Sequence, residues 1–140
     1  MAKVKLGARP KSFKREVKVP MLDGTIGTIE LSYKYRTRKE FGTFADEMQA
    51  NIKAAHDLEV EGIKKAADAG EELPEFKQSD AIARQDEFNV DYIMASVDGW
   101  NLDIPFDREA VEQLAEELPG AISVIVSTYR DAILEGRLGN

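Results

Sequence analysis

The first part of the chain alternates apolar and polar side chains on either side of Asp23-Gly24, and a period of two on both sides of such a dipeptide specifies a β-hairpin. Phe13, Val17, Val19 and Met21 fall on one side of an extended segment, with Lys14, Glu16 and Lys18 on the other. After the turn, Ile29, Leu31, Tyr33 and Tyr35 alternate with Thr28, Glu30, Ser32 and Lys34. Asp-Gly readily supplies the positive φ angles that a tight turn between such strands requires. The hairpin is expected over 12–36. Residues 1–11, with few apolar side chains and with Gly7 and Pro10, are expected to form a flexible arm.

A lone hairpin is marginal in water, so its apolar face needs a cover. Thr37-Arg-Lys-Glu40 reads as a capping box, in which hydroxyl and carboxylate satisfy free backbone N–H groups at a helix start. Phe41, Phe44, Ala45, Met48, Ile52 and Ala55 then recur at three- and four-residue spacing, which predicts an amphipathic helix over 38–56. Full burial of Phe41, Phe44, Met48 and Ile52 would contribute about 6–12 kcal/mol, an upper bound. That stripe is a docking face, for the hairpin or for a partner. From 57 to 79 the pattern weakens around Gly62, Gly70 and Pro74, so a fraying helix end and a loop are expected there.

A second helix is expected from Ser79-Asp80 through Ile82, Val90, Ile93, Met94 and Val97, with Asp98-Gly99 ending it. Trp100, Leu102 and Ile104 alternate briefly before Pro105. Asp107 is then a good N-cap, with Phe106 placed to staple onto Val111, and Val111, Leu114, Ala115 and Leu118 form a short helix closed by Pro119-Gly120. A last helix carries Ile122, Ile125, Tyr129, Ala132 and Ile133 on one face and ends near Gly136. The expected fold is α+β: an N-terminal antiparallel β-hairpin followed by a mostly helical body of about four helices, one domain over 1–140.

Charge is segregated along this chain. Residues 1–39 hold 11 Lys and Arg against Glu16, Asp23 and Glu30, a balance of +8, and residues 40–140 carry −15, for a net −7. A basic head of this kind suits nucleic acid or an acidic protein surface, including the chain's own body. Phe13, Tyr33 and Tyr35 within it have the chemistry to stack on bases, but their alternation is already what a half-buried strand requires. Nucleic acid is therefore an alternative partner and not the expected one.

Catalytic templates find no support. The chain has no cysteine, which excludes disulfides, thiolate metal sites and cysteine nucleophiles, and it fits a reducing compartment. Its single histidine, His56, lies among Ala and Asp with no triad motif around it. Asp86/Glu87 and Glu116/Glu117 are sequence neighbours that point different ways on a helix. No Lys-Ser/Thr phosphate loop is present. No enzyme activity, cofactor or metal is expected. The residues Met1 to Gly7 have a basic start but no apolar stretch of the kind a secretory signal needs, and no run is apolar enough to cross a bilayer.

The ordered series of motifs resembles the tail assembly chaperones of long-tailed bacteriophages over roughly residues 3–140. It rests on Leu31-Ser-Tyr-Lys-Tyr-Arg-Thr-Arg-Lys-Glu-Phe41, on Val97-Asp-Gly-Trp-Asn-Leu-Asp103, on Phe106-Asp-Arg-Glu-Ala-Val-Glu-Gln-Leu114 with Leu118-Pro-Gly-Ala121, and on Tyr129 followed by Glu135-Gly-Arg-Leu-Gly-Asn140. The resemblance implies a non-structural helper, made in the host cytoplasm and absent from the mature virion. Such a helper binds the tape measure protein, keeps it soluble and helps bring tail tube protein to polymerise around it. It also implies that a longer form made by ribosomal frameshifting can accompany the short one. On this reading Phe41, Phe44 and Met48 are the expected partner contacts, with Trp100 and Tyr129 as further candidates; each large aromatic is equally suited to a core. Self-association into a homo-oligomer is compatible with an apolar stripe. The competing readings are a structural tail component retained in the virion, or a nucleic-acid-binding module that uses the basic head.

Overall fold

A computed structural model describes residues 2–138 of the chain. Two strands, β1 (Ser12–Pro20) and β2 (Ile26–Lys34), are followed by helices α1 (Arg38–Asp68) and α2 (Gln78–Ser96), a short strand β3 (Val97–Trp100), and helices α3 (Arg108–Glu117) and α4 (Pro119–Glu135). The fold is α+β, with an N-terminal antiparallel hairpin and four helices, and β3 adds a third strand in the order β1-β2-β3.

The hairpin pairs in unbroken register from Ser12 opposite Lys34 to Pro20 opposite Ile26. Its loop is five residues, 21–25. Gly24 takes φ 87°, and the Asp23 carboxylate accepts from the Thr25 N–H at 3.0 Å and the Thr25 hydroxyl at 2.6 Å. Met21 therefore lies in the loop and not on the strand face expected for it. Phe13, Val17, Val19, Ile29, Leu31 and Tyr33 form the buried face, as the alternation requires.

The cover for that face comes from the far end of the chain. Helix α4 lays Ala121, Ile122, Ile125, Tyr129, Ala132 and Ile133 inward, and the buried Tyr33 hydroxyl donates to the Ile125 carbonyl at 2.8 Å across 92 residues of sequence. Pro119 starts α4 in its first turn, where a missing N–H costs nothing. Gly120 lies so close to the hairpin that a Cβ there would stand 2.8 Å from Cγ of Pro20. Gly136, at φ 69°, ends the helix in the left-handed conformation, and Arg137 N–H donates to the Ala132 carbonyl.

Helix α1 begins at the capping box: Thr37 accepts from Glu40 N–H, and the Glu40 carboxylate accepts from Thr37 N–H at 2.9 Å. That bond, with the Arg9 guanidinium beside it, holds the Glu40 carboxyl below the usual carboxylate range. The helix continues to Asp68, about halfway into the 57–79 segment where a fraying end and a loop were expected, and the loop is confined to 69–77. Residues 57–68 are rich in Ala, Glu and Lys, which are strong helix formers, and one Gly62 costs only about 1 kcal/mol. Gly70, at φ 70°, marks the end.

Two further departures share one cause. Helix α2 stops at Ser96 because Val97 is extended (φ −112°, ψ 140°), and 97–100 pairs with β2 at Leu31–Trp100 and Ser32–Gly99. Asp98-Gly99 is thus strand, and Gly99 does not take a positive φ. An open edge of β2 competes with helix continuation and wins over four residues. Phe106, expected to staple onto Val111, meets the Trp100 ring edge-on at 5.1 Å, while Asp107 caps α3 by accepting from Ala110 N–H at 2.8 Å.

Replacing Thr37 by Ala removes one half of the capping box and is expected to lower unfolding stability by about 1 kcal/mol, with Thr37→Ser close to wild type. Urea midpoints at unchanged denaturant slope measure it.

Candidate functional site

The sequence-predicted contact residues occupy two different environments. Phe41, Phe44 and Tyr129 are buried, whereas Met48 and Trp100 are half-buried at the margin of the core. The first three belong to one aromatic assembly. Tyr129 stacks on Tyr33 at 5.2 Å, meets Phe41 at 5.9 Å and receives the edges of Phe44 and Tyr92 at 6.2 and 6.3 Å. The Tyr129 hydroxyl donates to the Lys34 carbonyl at 2.8 Å and accepts from Arg36 at 2.9 Å. Arg36 also donates to the Ala95 carbonyl at 3.1 Å and lies over the Phe44 ring at 4.2 Å. These side chains satisfy one another, so in this conformation Phe41, Phe44 and Tyr129 act as core and offer no outer surface.

Apolar surface lies elsewhere, on the distal part of the α1/α2 pair. Ile52, Ala55, Glu59, Ile63 and Ala66 share one face of α1 by their spacing, and Arg84 of α2 pairs with Glu59 across it. Ile52 nevertheless stays 37% exposed, because the pair carries too few large side chains to close over it. Leu58 and Val60 fall off that face, and Leu58 is 70% exposed. Val60, Ile63, Leu73 and Ile82 are exposed as well, and Phe76 in the loop is 75% exposed. Of this set, Ile52 and Ile82 belong to the stripes read from the sequence, and Leu58, Val60, Ile63, Leu73 and Phe76 do not, because they follow no continuous stripe. The available signal was the presence of Leu58, Val60, Leu73 and Phe76 in an otherwise charged segment.

A groove of about 490 Å³ runs between α2 and α3 and is lined by Asp86, Glu87, Arg108, Glu112 and Glu116 with Ala83, Val90 and Ala115. Arg108 spends its charge on Asp91 at 2.8 Å and Glu112 at 3.2 Å. Among the described residues no group of three or more His, Cys, Asp or Glu side chains is arranged to hold a metal ion. None of the described helices is long and apolar enough to cross a membrane.

A hairpin head clamped by an aromatic core thus continues into a long helical pair that extends beyond that core. The phage tail assembly chaperone family model matches residues 1–140, the whole chain, and the chain belongs to that family. No curated protein and no solved structure matches it.

The aromatic core makes stability pH-dependent at the alkaline end. Burial pushes the Tyr92 hydroxyl up to about 12 and raises Tyr33 and Tyr129 too. An unfolded tyrosine ionises near ~10, so above that pH the unfolded chain releases protons that the folded chain retains. The stability from neutral buried tyrosines is complete below ~10 and is lost as pH rises toward the folded values. Urea midpoints are expected to fall steeply over that window, with phenolate absorbance appearing together with loss of helical ellipticity. Full titration of all four tyrosines in a chain that keeps its ellipticity would contradict the buried assembly.

Proposed function

We propose that this chain binds the tape measure protein of its phage, keeps it soluble and promotes polymerisation of tail tube protein around it, without catalysis. The reading places the protein in the host cytoplasm and outside the finished virion. Its family supports the tail assembly role. The observation that carries the finer reading is the distal α1/α2 pair with its connecting loop, which presents Leu58, Val60 and Ile63 of α1 and Phe76 of the loop to solvent beyond the core.

An elongated helical client has apolar surface that aggregates unless covered. A helical pair with unfilled apolar positions can take such a client helix into a bundle-like contact, reading one side chain per turn. Among those apolar residues Glu59 and Glu61 are paired with Arg84 and Lys65, so apolar surface and not charge is what the client helix meets there. Met48, half-buried where the core meets solvent, extends the contact along α1. Phe41, Phe44 and Tyr129 support it from beneath by fixing the base of α1.

Co-expression with the tape measure protein from the same genome tests this. The wild type is expected to raise the soluble fraction of the tape measure protein and to co-purify with it. Combined Leu58→Asp, Val60→Asp and Ile63→Asp substitution is expected to weaken the complex at least about tenfold, roughly 1.4 kcal/mol, while circular dichroism and thermal midpoint stay near wild type. Mass spectrometry of purified virions should detect no copy of the chain. A wild-type chain that neither co-purifies nor improves solubility overturns the proposal.

A further inference from the structure

The sheet has an unfinished edge. Strand β3 pairs with β2 only from Leu31 to Tyr33. Asn101 then closes the ladder, its side-chain oxygen accepting from Glu30 N–H at 2.9 Å and its own N–H donating to the Glu30 carbonyl at 3.1 Å. Backbone groups of a strand alternate in direction, so the N–H and C=O of Thr28 and Ile26 face the same side as those of Glu30. Among the described residues nothing pairs with them there. Beside this edge are two small apolar cavities of about 170 and 160 Å³, the first lined by Val19, Met21, Gly27 and Ile29 and both by Leu102, Leu114 and Leu118. Each is too small for a drug-sized ligand and suits a single aliphatic side chain.

We infer that this edge accepts the N-terminal arm of a second copy of the chain as an added strand. The arm reads Lys3-Val4-Lys5-Leu6, a strand alternation with no element of its own, and Val4 and Leu6 are 86% and 95% exposed. Placed along β2, Val4 and Leu6 turn toward the inner face beside Gly27 and Ile29, which line the 170 Å³ cavity. In either strand direction Lys5 then falls opposite Thr28. Charge selects this edge over the outer edge of β1. The arm holds Lys3 and Lys5 with no acid; β2 carries Glu30 and Glu117 lines the neighbouring cavity, whereas β1 carries Lys14, Arg15 and Lys18 against Glu16 alone.

Reach requires a second copy. The Lys11 carbonyl accepts from Tyr35 N–H at 3.0 Å, which fixes it at the far end of the hairpin, and Thr28 stands opposite Lys18. At ~3.3 Å per strand residue and ~4.8 Å per strand spacing, a position beyond β2 beside Thr28 is about 25 Å from Lys11. The six residues from Lys5 to Lys11 span about 21 Å at most when fully extended. Arg9 shortens that further, being held by Glu40 at 2.6 Å and over the Tyr35 ring. The arm can thus reach the edge of a neighbour and not its own. Main-chain pairing supplies the attachment and the two apolar side chains set the register.

The absence of cysteine makes a direct test possible. Full-length Lys5→Cys and Thr28→Cys proteins, mixed and oxidised, are expected to form a mixed disulfide between the two positions, identified by peptide mass spectrometry. A mixture of Lys5→Cys with Leu58→Cys, an equally accessible thiol, serves as the reference. Val4→Asp combined with Leu6→Asp, which alters exposed residues only, should abolish the 5–28 disulfide and the concentration-dependent mass increase of the wild type in light scattering. A wild type that stays monomeric at every concentration overturns the proposal, as does a 5–28 disulfide no more abundant than the reference or one that survives the Asp substitutions. None of these results depends on which tail protein the chain binds, so this inference and the proposed client stand or fall separately.

Discussion

The fully buried hydroxyl of Tyr129 is the constraint around which the rest of the molecule is arranged. A buried hydroxyl without partners costs about 1–3 kcal/mol, and the partners it finds, the Lys34 carbonyl and Arg36, both stand where β2 ends. Satisfying it therefore fixes the rotation of α4 against the hairpin. Arg36 extends the linkage, since its other donor reaches the last turn of α2 and its plane rests on Phe44 of α1. One tyrosine and one arginine tie strand, α1, α2 and α4 together at one end of the fold.

The consequence for α1 is a division along its length. Its first two turns insert Phe41 and Phe44 into the assembly and are held there. Beyond Met48 the helix leaves the core, and its remaining side chains meet little but the start of α2 and solvent. Stability is concentrated at one end and accessible apolar surface at the other. The surface proposed for a client is therefore separate from the surface that maintains the fold.

The charge asymmetry also takes a definite form. Part of the basic head is neutralised internally, with Lys14 against Glu30 across the hairpin and Arg9 against Glu40 at the helix cap. Exposed pairs of this kind contribute little energy. They do place the arm relative to α1, and they leave Lys3 and Lys5 without intramolecular partners among the described residues.

Local chemistry was enough to specify the hairpin, the capping box at Thr37-Glu40, the Asp107 cap, and the inward face of α4, because each depends on residues a few positions apart. Three features were not legible. The helix ran on to Asp68 since propensity persists where amphipathic periodicity fades, and Val97–Trp100 became strand since an open sheet edge was available. Whether an aromatic side chain faces a partner or the interior was the third. Phe41, Phe44 and Phe76 have the same chemistry, and only the arrival of α4, some 90 residues after the hairpin, determined that the first two are enclosed and the third is not. The alternating, turn-punctuated head that limits what such a chain can become was set by sequence alone. What covers that head, and which surface stays free to bind, was decided by contacts between residues distant in sequence, whose pairing no local pattern encodes.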